Sequence, residues 1–479
     1  MNRQKTSSLS ILIFFTLLWS ACAVGPNYRR PTIDVPVTYH DDATESPAAS
    51  GQSQAGLAQQ TAASLGDEKW WDVFQDEELR NLIRTALKNN YDVRIAATRV
   101  LEAQAQLGIT RADQYPSLGV GAGVADQRSP RIGPIPSYEV SLGQVSASAA
   151  WNLDFWGRYR RATEAARANL LANEWAQKQV MATLVANVAA SYFQLRQLDL
   201  ELEISKRTFG SRSESLKLTQ TLEQHGLGSL LDVRQSEQLV YTAAEEIPDF
   251  ERQIAQQENA ISILVGKNPG DVPRGLKLTE EPHAPQVPAG LPSSLLERRP
   301  DIRQAEQNLV AANAEIGVAR SAYFPQISLT GSAGFETPAL TSLFTGPAGI
   351  WNFGASLAQP IFEGGRIKSN VRFSEAQREQ FLLSYQQTIQ GAFRDVSNAL
   401  VAYRKDREFR VQQEQLLNSA QDAARLSEVR FKAGTTDYLE VLTNESNSFT
   451  AELGLAQAQG NELIALVQLY QALGGGWQQ

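Results

Sequence analysis

One cysteine, two methionines and three histidines occur in 479 residues, and these shortages exclude a good deal. The single Cys22 cannot close a disulfide within the chain. His40, His225 and His283 stand far apart, and with one cysteine they offer no metal-ligand cluster. No G-x-S-x-G, no H-E-x-x-H and no phosphate-binding glycine loop occurs, so we expect no catalytic residue, no metal and no cofactor. A formal net charge of −8 argues against nucleic acid as a partner. Past Cys22 no run of eighteen apolar residues remains, so no transmembrane helix is readable. Proline is missing between Pro136 and Pro248 and again after Pro360. Because proline breaks helix interiors, those are the stretches where long helices are permitted.

The chain opens with Arg3 and Lys5 ahead of an apolar run, Leu9 to Leu18. Ser20-Ala21-Cys22 then supplies the small residues a signal peptidase requires, so residues 1–21 read as a signal peptide. At that junction Cys22 resembles a bacterial lipobox cysteine, the attachment point of an N-terminal lipid. Residues 22–66, rich in Ala, Ser, Gln and Pro, read as a lipidated extended segment.

The strongest internal signal is a duplication. Asp92-Val93-Arg94 leads through Gly108, Arg111 and Tyr115-Pro116; Asp301-Ile302-Arg303 leads through Gly317, Arg320 and Phe324-Pro325, at a constant offset of 209. Farther on the offset is 208, matching Gly157-Arg158 to Gly365-Arg366, Gly226 to Gly434 and Val233 to Val441. The reading is a first repeat over 67–267 and a second over 301–473, each a helix, a β-hairpin and long helices. A proline-rich loop, 268–300, joins them, and 474–479 form a tail.

Met181, Val185, Val188, Tyr192 and Leu195 recur at coiled-coil spacing, and Ile389, Phe393, Val396, Leu400 and Tyr403 repeat that seam. Gly157 to His225 would make on the order of 100 Å of helix. On the helices alone, a soluble coiled-coil spacer explains this equally well. Four segments then alternate with period two. Leu118, Val120, Ala122 and Val124 stand against glycines. Val145, Ala147, Ala149, Trp151, Leu153 and Phe155 stand against Ser146, Ser148, Asn152 and Asp154. Ile327, Leu329, Ala333 and Phe335 face away from Ser328, Thr330 and Ser332; Trp351, Phe353, Ala355 and Leu357 face away from Asn352, Gly354 and Ser356. Such strands suit a membrane barrel, with Phe335 and Trp351 at the bilayer interface, although a small sheet on a soluble core alternates similarly. If the strands lie in lipid, four per chain cannot stand with open edges, and copies must associate; two would give about eight strands and a lumen filled by side chains, three about twelve and an open lumen.

Leu295-Leu296-Glu297-Arg298-Arg299-Pro300-Asp301-Ile302-Arg303-Gln304-Ala305-Glu306 resembles the signature of the outer membrane factor family. So do Cys22-Ala23-Val24-Gly25-Pro26-Asn27-Tyr28, Trp70-Trp71 and Ala472-Leu473-Gly474-Gly475-Gly476-Trp477. Over essentially its mature length the chain is similar to the OprM/NodT lipoprotein branch of this TolC-like family. The resemblance implies a mixed α/β membrane protein. In it a homotrimer completes a twelve-stranded β-barrel from four strands per chain, and long coiled α-helices form a periplasmic tunnel. It implies the bacterial cell outer membrane as location, with a lipid anchor and an extension into the periplasm. Partners so implied are outer-membrane lipid, a periplasmic adaptor (membrane fusion) protein and an inner-membrane transporter of the RND type. The expected function is the outer-membrane channel of a tripartite efflux or export system, a passive exit duct for small molecules such as drugs. The competing reading is a lipid-anchored coiled-coil scaffold or adaptor without its own pore.

Each long helical stretch is interrupted once, at Gly226-Leu227-Gly228-Ser229 and at Gly434-Thr435-Thr436-Asp437. Glycine followed by Ser-x-x-Asp or Asp-x-x-Glu reads as a helix stop and a capped restart, hence a hairpin turn at the far end of the rod. On the plainer reading Asp232 and Glu440 only cap helices. The resemblance instead implies a periplasmic gate at Asp232, Leu439 and Glu440, and adaptor contacts at Gly226, Gly228, Gly434 and Thr435. Relatives carry Asp-Val-Leu-Asp after the second glycine; here it is Glu440-Val441-Leu442-Thr443. Glu223 likewise stands where an aromatic is usual.

Overall fold

The computed structural model describes residues 23–36, 64–282, 292–338 and 340–478. The signal peptide, Cys22, His40, His283 and most of the N-terminal segment therefore lie outside the described residues. Four antiparallel strands and nine α-helices make up the regular structure of the described residues. Their order is α1 (Trp70–Val73), α2 (Glu77–Asn89), α3 (Tyr91–Ala112), β1 (Ser117–Ser129), β2 (Tyr138–Leu153), α4 (Arg158–Gln224) and α5 (Leu230–Leu264). After these come α6 (Pro292–Arg298), α7 (Pro300–Ser321), β3 (Gln326–Thr337), β4 (Gly349–Ala358), α8 (Arg366–Lys432) and α9 (Tyr438–Ala472). Both long helices, α4 and α8, have 67 residues, and both returning helices, α5 and α9, have 35, so the duplication extends to element length.

Two features depart from a plain reading of the prolines. α5 runs through Pro248, which cannot donate to the helix ladder. A proline in a helix interior costs about 3 kcal/mol, and here burial of Val240, Ala243, Phe250 and Ile254 on the same helix offsets it. The inter-repeat loop, for its part, carries α6, which begins on Pro292, the position where a missing N–H removes no helical bond.

The chain divides into two compact units, and these are not the two repeats. One gathers the described residues of Met1–Thr32 with Arg99–Glu174 and Gln304–Gln386; the other gathers Ile33–Thr98, Trp175–Arg303 and Gln387–Gln479. Each unit takes its material from both copies of the duplication.

The first unit holds the sheet, a meander in the order β1-β2-β3-β4 with β1 and β4 as edges. Its register aligns Val120, Ala147, Ala333 and Trp351 across all four strands, and Leu118, Ala149, Gly331 and Phe353 one level away. On the opposite face lie Gly119, Ser148, Ser332 and Asn352. There the Asn352 amide donates to Ser332 at 2.8 Å, and the Ser328 and Ser356 hydroxyls meet at 2.7 Å. One face is therefore apolar and the other hydroxyl-lined, with Phe335 and Trp351 together at one end of the apolar face. Among the described residues of a single chain nothing covers that apolar face, and Val120 and Trp351 are 83% and 81% exposed. The sequence Val24 to Asn27 is laid beside this sheet. The Val24 N–H donates to the Trp156 carbonyl just past β2, and Arg161 donates to the Asn27 side chain at 2.7 Å. Gly25 lies so close to Gly317 that a Cβ there would stand 2.5 Å from its Cα.

In the second unit the coiled-coil seams are the core: Val185, Val188, Tyr192 and Leu195 on α4, and Ile389, Val396 and Tyr403 on α8, are all buried. Arg299 is buried as well. It forms a two-pronged pair with Asp301 and donates to the carbonyl of Ala472 at 3.2 Å, which closes the C-terminal end of α9. The Arg-Arg-Pro-Asp block is thus placed against the chain's Gly-Gly-Gly-Trp end. A side chain at Gly474 would run into Arg298 and Arg299, and Lys178 lies over the rings of Trp175 and Trp477. Among the described residues no helix is long and apolar enough to cross a membrane.

Candidate functional site: the helical hairpin tips

The two hairpin turns, both in the second unit, are built by the same backbone device. At the first, the Leu227 N–H reaches the Leu222 carbonyl at 2.8 Å and the Gly226 N–H reaches Glu223 at 2.9 Å. At the second, Thr435 reaches Arg430 at 3.0 Å and Gly434 reaches Phe431 at 2.9 Å. This paired closure needs a left-handed residue, and Gly226 and Gly434 supply it at φ of 71° and 70°. Gly228 lies beside Glu223 and Leu222, with room for ordinary contact at 3.4 Å from a Cβ there, and the Thr435 hydroxyl satisfies the Arg430 carbonyl at 3.0 Å. Gly226, Gly228, Gly434 and Thr435 are all exposed.

The restart of each returning helix uses the acid at its third residue, but differently. Ser229 and Asp232 form a reciprocal box: the Ser229 hydroxyl accepts from the Asp232 N–H at 3.2 Å, and Asp232 accepts from the Ser229 N–H at 2.9 Å. At the second tip Asp437 accepts from the Glu440 N–H at 3.1 Å, which leaves the Glu440 carboxylate for other partners. It takes Arg430 from α8 at 2.8 Å and the Thr436 hydroxyl. Glu440 thus ties the two arms of its hairpin together, while Asp232 stays local. Thr443, at the place of the relatives' second acid, turns its hydroxyl back to the Leu439 carbonyl at 2.8 Å. Glu223 offers its own backbone carbonyl to the first turn.

The apolar member of the site has a twin. Leu439 is 53% exposed, and Leu231, which the 208 offset places at the same position, is 64% exposed. Sequence reasoning singled out Leu439 alone, although the repeat itself pointed to Leu231.

Behind the tips a buried polar chain joins the hairpins. Thr219 on α4 donates to Ser236 on α5 at 3.3 Å, and Ser236 donates to the Tyr438 phenol on α9 at 3.1 Å. The Tyr438 ring packs against Phe431 with centroids 5.0 Å apart, in a cluster with Val441, Leu442 and Leu239. Burial pushes this phenol's pKa up; the Ser236 hydrogen bond opposes that, and the charges of Glu445 and Asp232 add to it. Nothing in the local pattern around Tyr438 announced this contact, which joins α4, α5 and α9.

An exposed apolar band on a four-stranded sheet with two open edges, together with paired helical turns bearing leucines and acids, defines the subunit of an outer-membrane conduit. The model of the "Outer membrane efflux protein" family matches residues 82–267 and 291–475, and the chain belongs to that family. It is 35% identical over 480 residues to the "Toluene efflux pump outer membrane protein TtgC" of Pseudomonas putida, covering 98% of this chain and 96% of that one. To the "Cation efflux system protein CusC" of Escherichia coli it is 34% identical over 465 residues, covering 97% of each. The solved open state of the Neisseria gonorrhoeae MtrE outer membrane channel superposes with a TM-score of 0.85 at 31% identity, covering 95% of this chain and 99% of that one. The protein is accordingly an outer-membrane efflux channel, with the fold in which three chains complete one twelve-stranded barrel and long helices form a tunnel. A pore-less scaffold has no use for such a sheet, and that reading falls away.

Proposed function

We propose that the channel is a passive duct without chemistry of its own. Its energy comes from an inner-membrane transporter of the RND type, delivered through a periplasmic adaptor that grips the turns at Gly226, Gly228, Gly434 and Thr435. The observation that carries this reading is the pair of matched hairpin tips, exposed, conformationally fixed by positive-φ glycines, and differing only in side chains. In the trimer, three copies of Leu439 and Leu231 form an apolar constriction, and Asp232 and Glu440 place carboxylates around it. Clustered carboxylates repel one another and draw cations to the mouth.

Cys22 carries the lipid in this reading. Ala23, the first described residue, lies against Gly157, where an added Cβ would be 2.7 Å from the Ala23 Cβ. That contact holds Ala23 beside the base of β2, and an acyl group on the preceding residue would enter the bilayer that the barrel spans. Relatives named for toluene and for cations match this chain almost equally, which supports a duct that leaves substrate choice to the pump. The test is planar-bilayer conductance of the detergent-purified mature protein with its oligomer mass measured in the same preparation. A trimer with discrete pores is the expected result; a non-conducting oligomer overturns the proposal.

A further inference from the structure

The polarity of the sheet's two faces inverts near one end. β1 and β2 outrun β3: the last level they share with it is Val124, Gly143 and Thr337, and beyond it residues 125–129 and 138–142 pair only with each other. At about 3.4 Å per residue this overhang adds about 17 Å. The face that is apolar through Val124 continues with Asp126 opposite Ser141 and Arg128 opposite Glu139, the latter an exposed ion pair at 3.4 Å. Such charges end a lipid-facing band. The other face changes the opposite way at the same level. Up to Gln144 it carries Ser148 and Ser146; beyond, β2 supplies Leu142, Val140 and Tyr138, opposite Ala125, Gln127 and Ser129. The ladder between β1 and β2 runs unbroken through this change, so the residues have swapped and not the register.

The overhang ends in a tight turn. Ile132 and Ile135 exchange backbone hydrogen bonds at 3.1 Å each way around Gly133, whose φ is 61°. Ile132, Ile135 and Tyr138 are 68%, 58% and 55% exposed, and Val140 and Leu142 are half-buried. Helices α3 and α4 join the opposite ends of β1 and β2, so this turn stands on the extracellular side.

We infer that the β1–β2 overhangs of three copies lean together beyond the barrel through Tyr138, Val140 and the Ile132–Ile135 turn, forming an apolar collar that narrows the exit. This rests on the trimeric barrel and adds a contact outside the membrane. The occupant follows from continuity: a barrel turns the hydroxyl-lined face of every copy toward one axis, and the apolar strip of the overhang prolongs that face. Opposite it stands the same strip of the other copies. Lipid lies on the wrong side, behind Asp126, Arg128 and Glu139. An apolar strip standing in water marks a contact surface. Pro130, Pro134 and Pro136 fix the backbone of the tip, so the collar closes at little cost in ordering.

The experiment places single cysteines in the full chain, in intact cells and outer-membrane preparations, with wild type as the blank and a native mass measurement alongside. Under copper-phenanthroline oxidation, Tyr138→Cys or Ile135→Cys should give covalent dimers at several-fold higher yield than Glu139→Cys, on the opposite face. A membrane-impermeant maleimide added outside should label Glu139→Cys several-fold faster than Val140→Cys. Equal labelling overturns the cover. Slow labelling at Val140→Cys, with no cross-link at either Tyr138→Cys or Ile135→Cys, gives the strip to another molecule and overturns the contact between copies. A preparation that is not trimeric overturns the barrel on which the collar rests.

Discussion

At the first hairpin tip the residue that opens the returning helix is Leu230, 58% exposed; at the second it is Tyr438, 9% exposed. Three residues farther along, Val233 and Val441 are both buried, so the two helices present the same face inward and differ at their first residue. Next come Asp232, closed on its own cap, and Glu440, held across the hairpin by Arg430. A duplicated backbone has kept its turns and helix lengths while its two tips acquired different work. The first is a self-contained cap, and the second is fastened both across its own arms and, through Ser236, to the first. On the proposed gate, the second tip is the one whose release should change the mouth.

Tyr438→Ala should have the largest effect. Removing a buried ring of this size costs about 3–5 kcal/mol, and it should raise conductance several-fold and expose the second turn to protease. Leu230→Ala, at the matching place, should stay within about 0.5 kcal/mol and leave conductance alone. Equal effects would erase the contrast. Substituting the turn glycines tests the part that is shared: Gly226→Ala and Gly434→Ala should each cost about 1–2 kcal/mol by forcing a side chain into the left-handed region, read as equal losses of thermal stability. Tyr438→Phe isolates the hydroxyl and should cost about 1 kcal/mol, with Ser236→Ala adding little to it in a double-mutant cycle.

The smallest effect concerns pH. Glu445 and Glu237 occupy matching places, but Glu237 pairs with Arg234 at 2.6 Å on the surface, whereas burial pushes the Glu445 pKa up, with Arg212 opposing and Glu428 adding to the rise. A carboxyl whose pKa is raised on folding favours its protonated form, so its contribution to stability is full below the unfolded pKa and is lost as pH rises through the folded one. Glu445→Gln should therefore narrow the loss of melting temperature between pH 5 and pH 8, and Glu237→Gln should not.

Much of this was legible in the residues. The 209 and 208 offsets, the proline-free stretches and the period-two strands gave element order, helix lengths and the faces of the sheet, because those depend on local spacing. Glycine followed by a capped restart placed both turns for the same reason, although only Ser229 and Asp232 close a reciprocal box and the Glu440 carboxylate goes to Arg430 instead. Contacts between helices were not legible: Tyr438 meeting Ser236, and Arg430 meeting Glu440, join residues whose local patterns carry no sign of each other. Nor did the repeat boundaries reveal that each compact unit draws on both copies, since the offsets report ancestry of sequence and not packing. Leu231 was within reach of the repeat, and Pro248 obeyed tertiary packing over its own propensity.

We propose that the tips hold the duct's mouth. Single-channel conductance of purified trimers in planar bilayers, wild type against Asp232→Ala with Glu440→Ala, tests it directly. Small, infrequently open wild-type pores and a several-fold larger conductance in the double variant are expected; identical conductance from a variant that is still trimeric would contradict a gate at the tips.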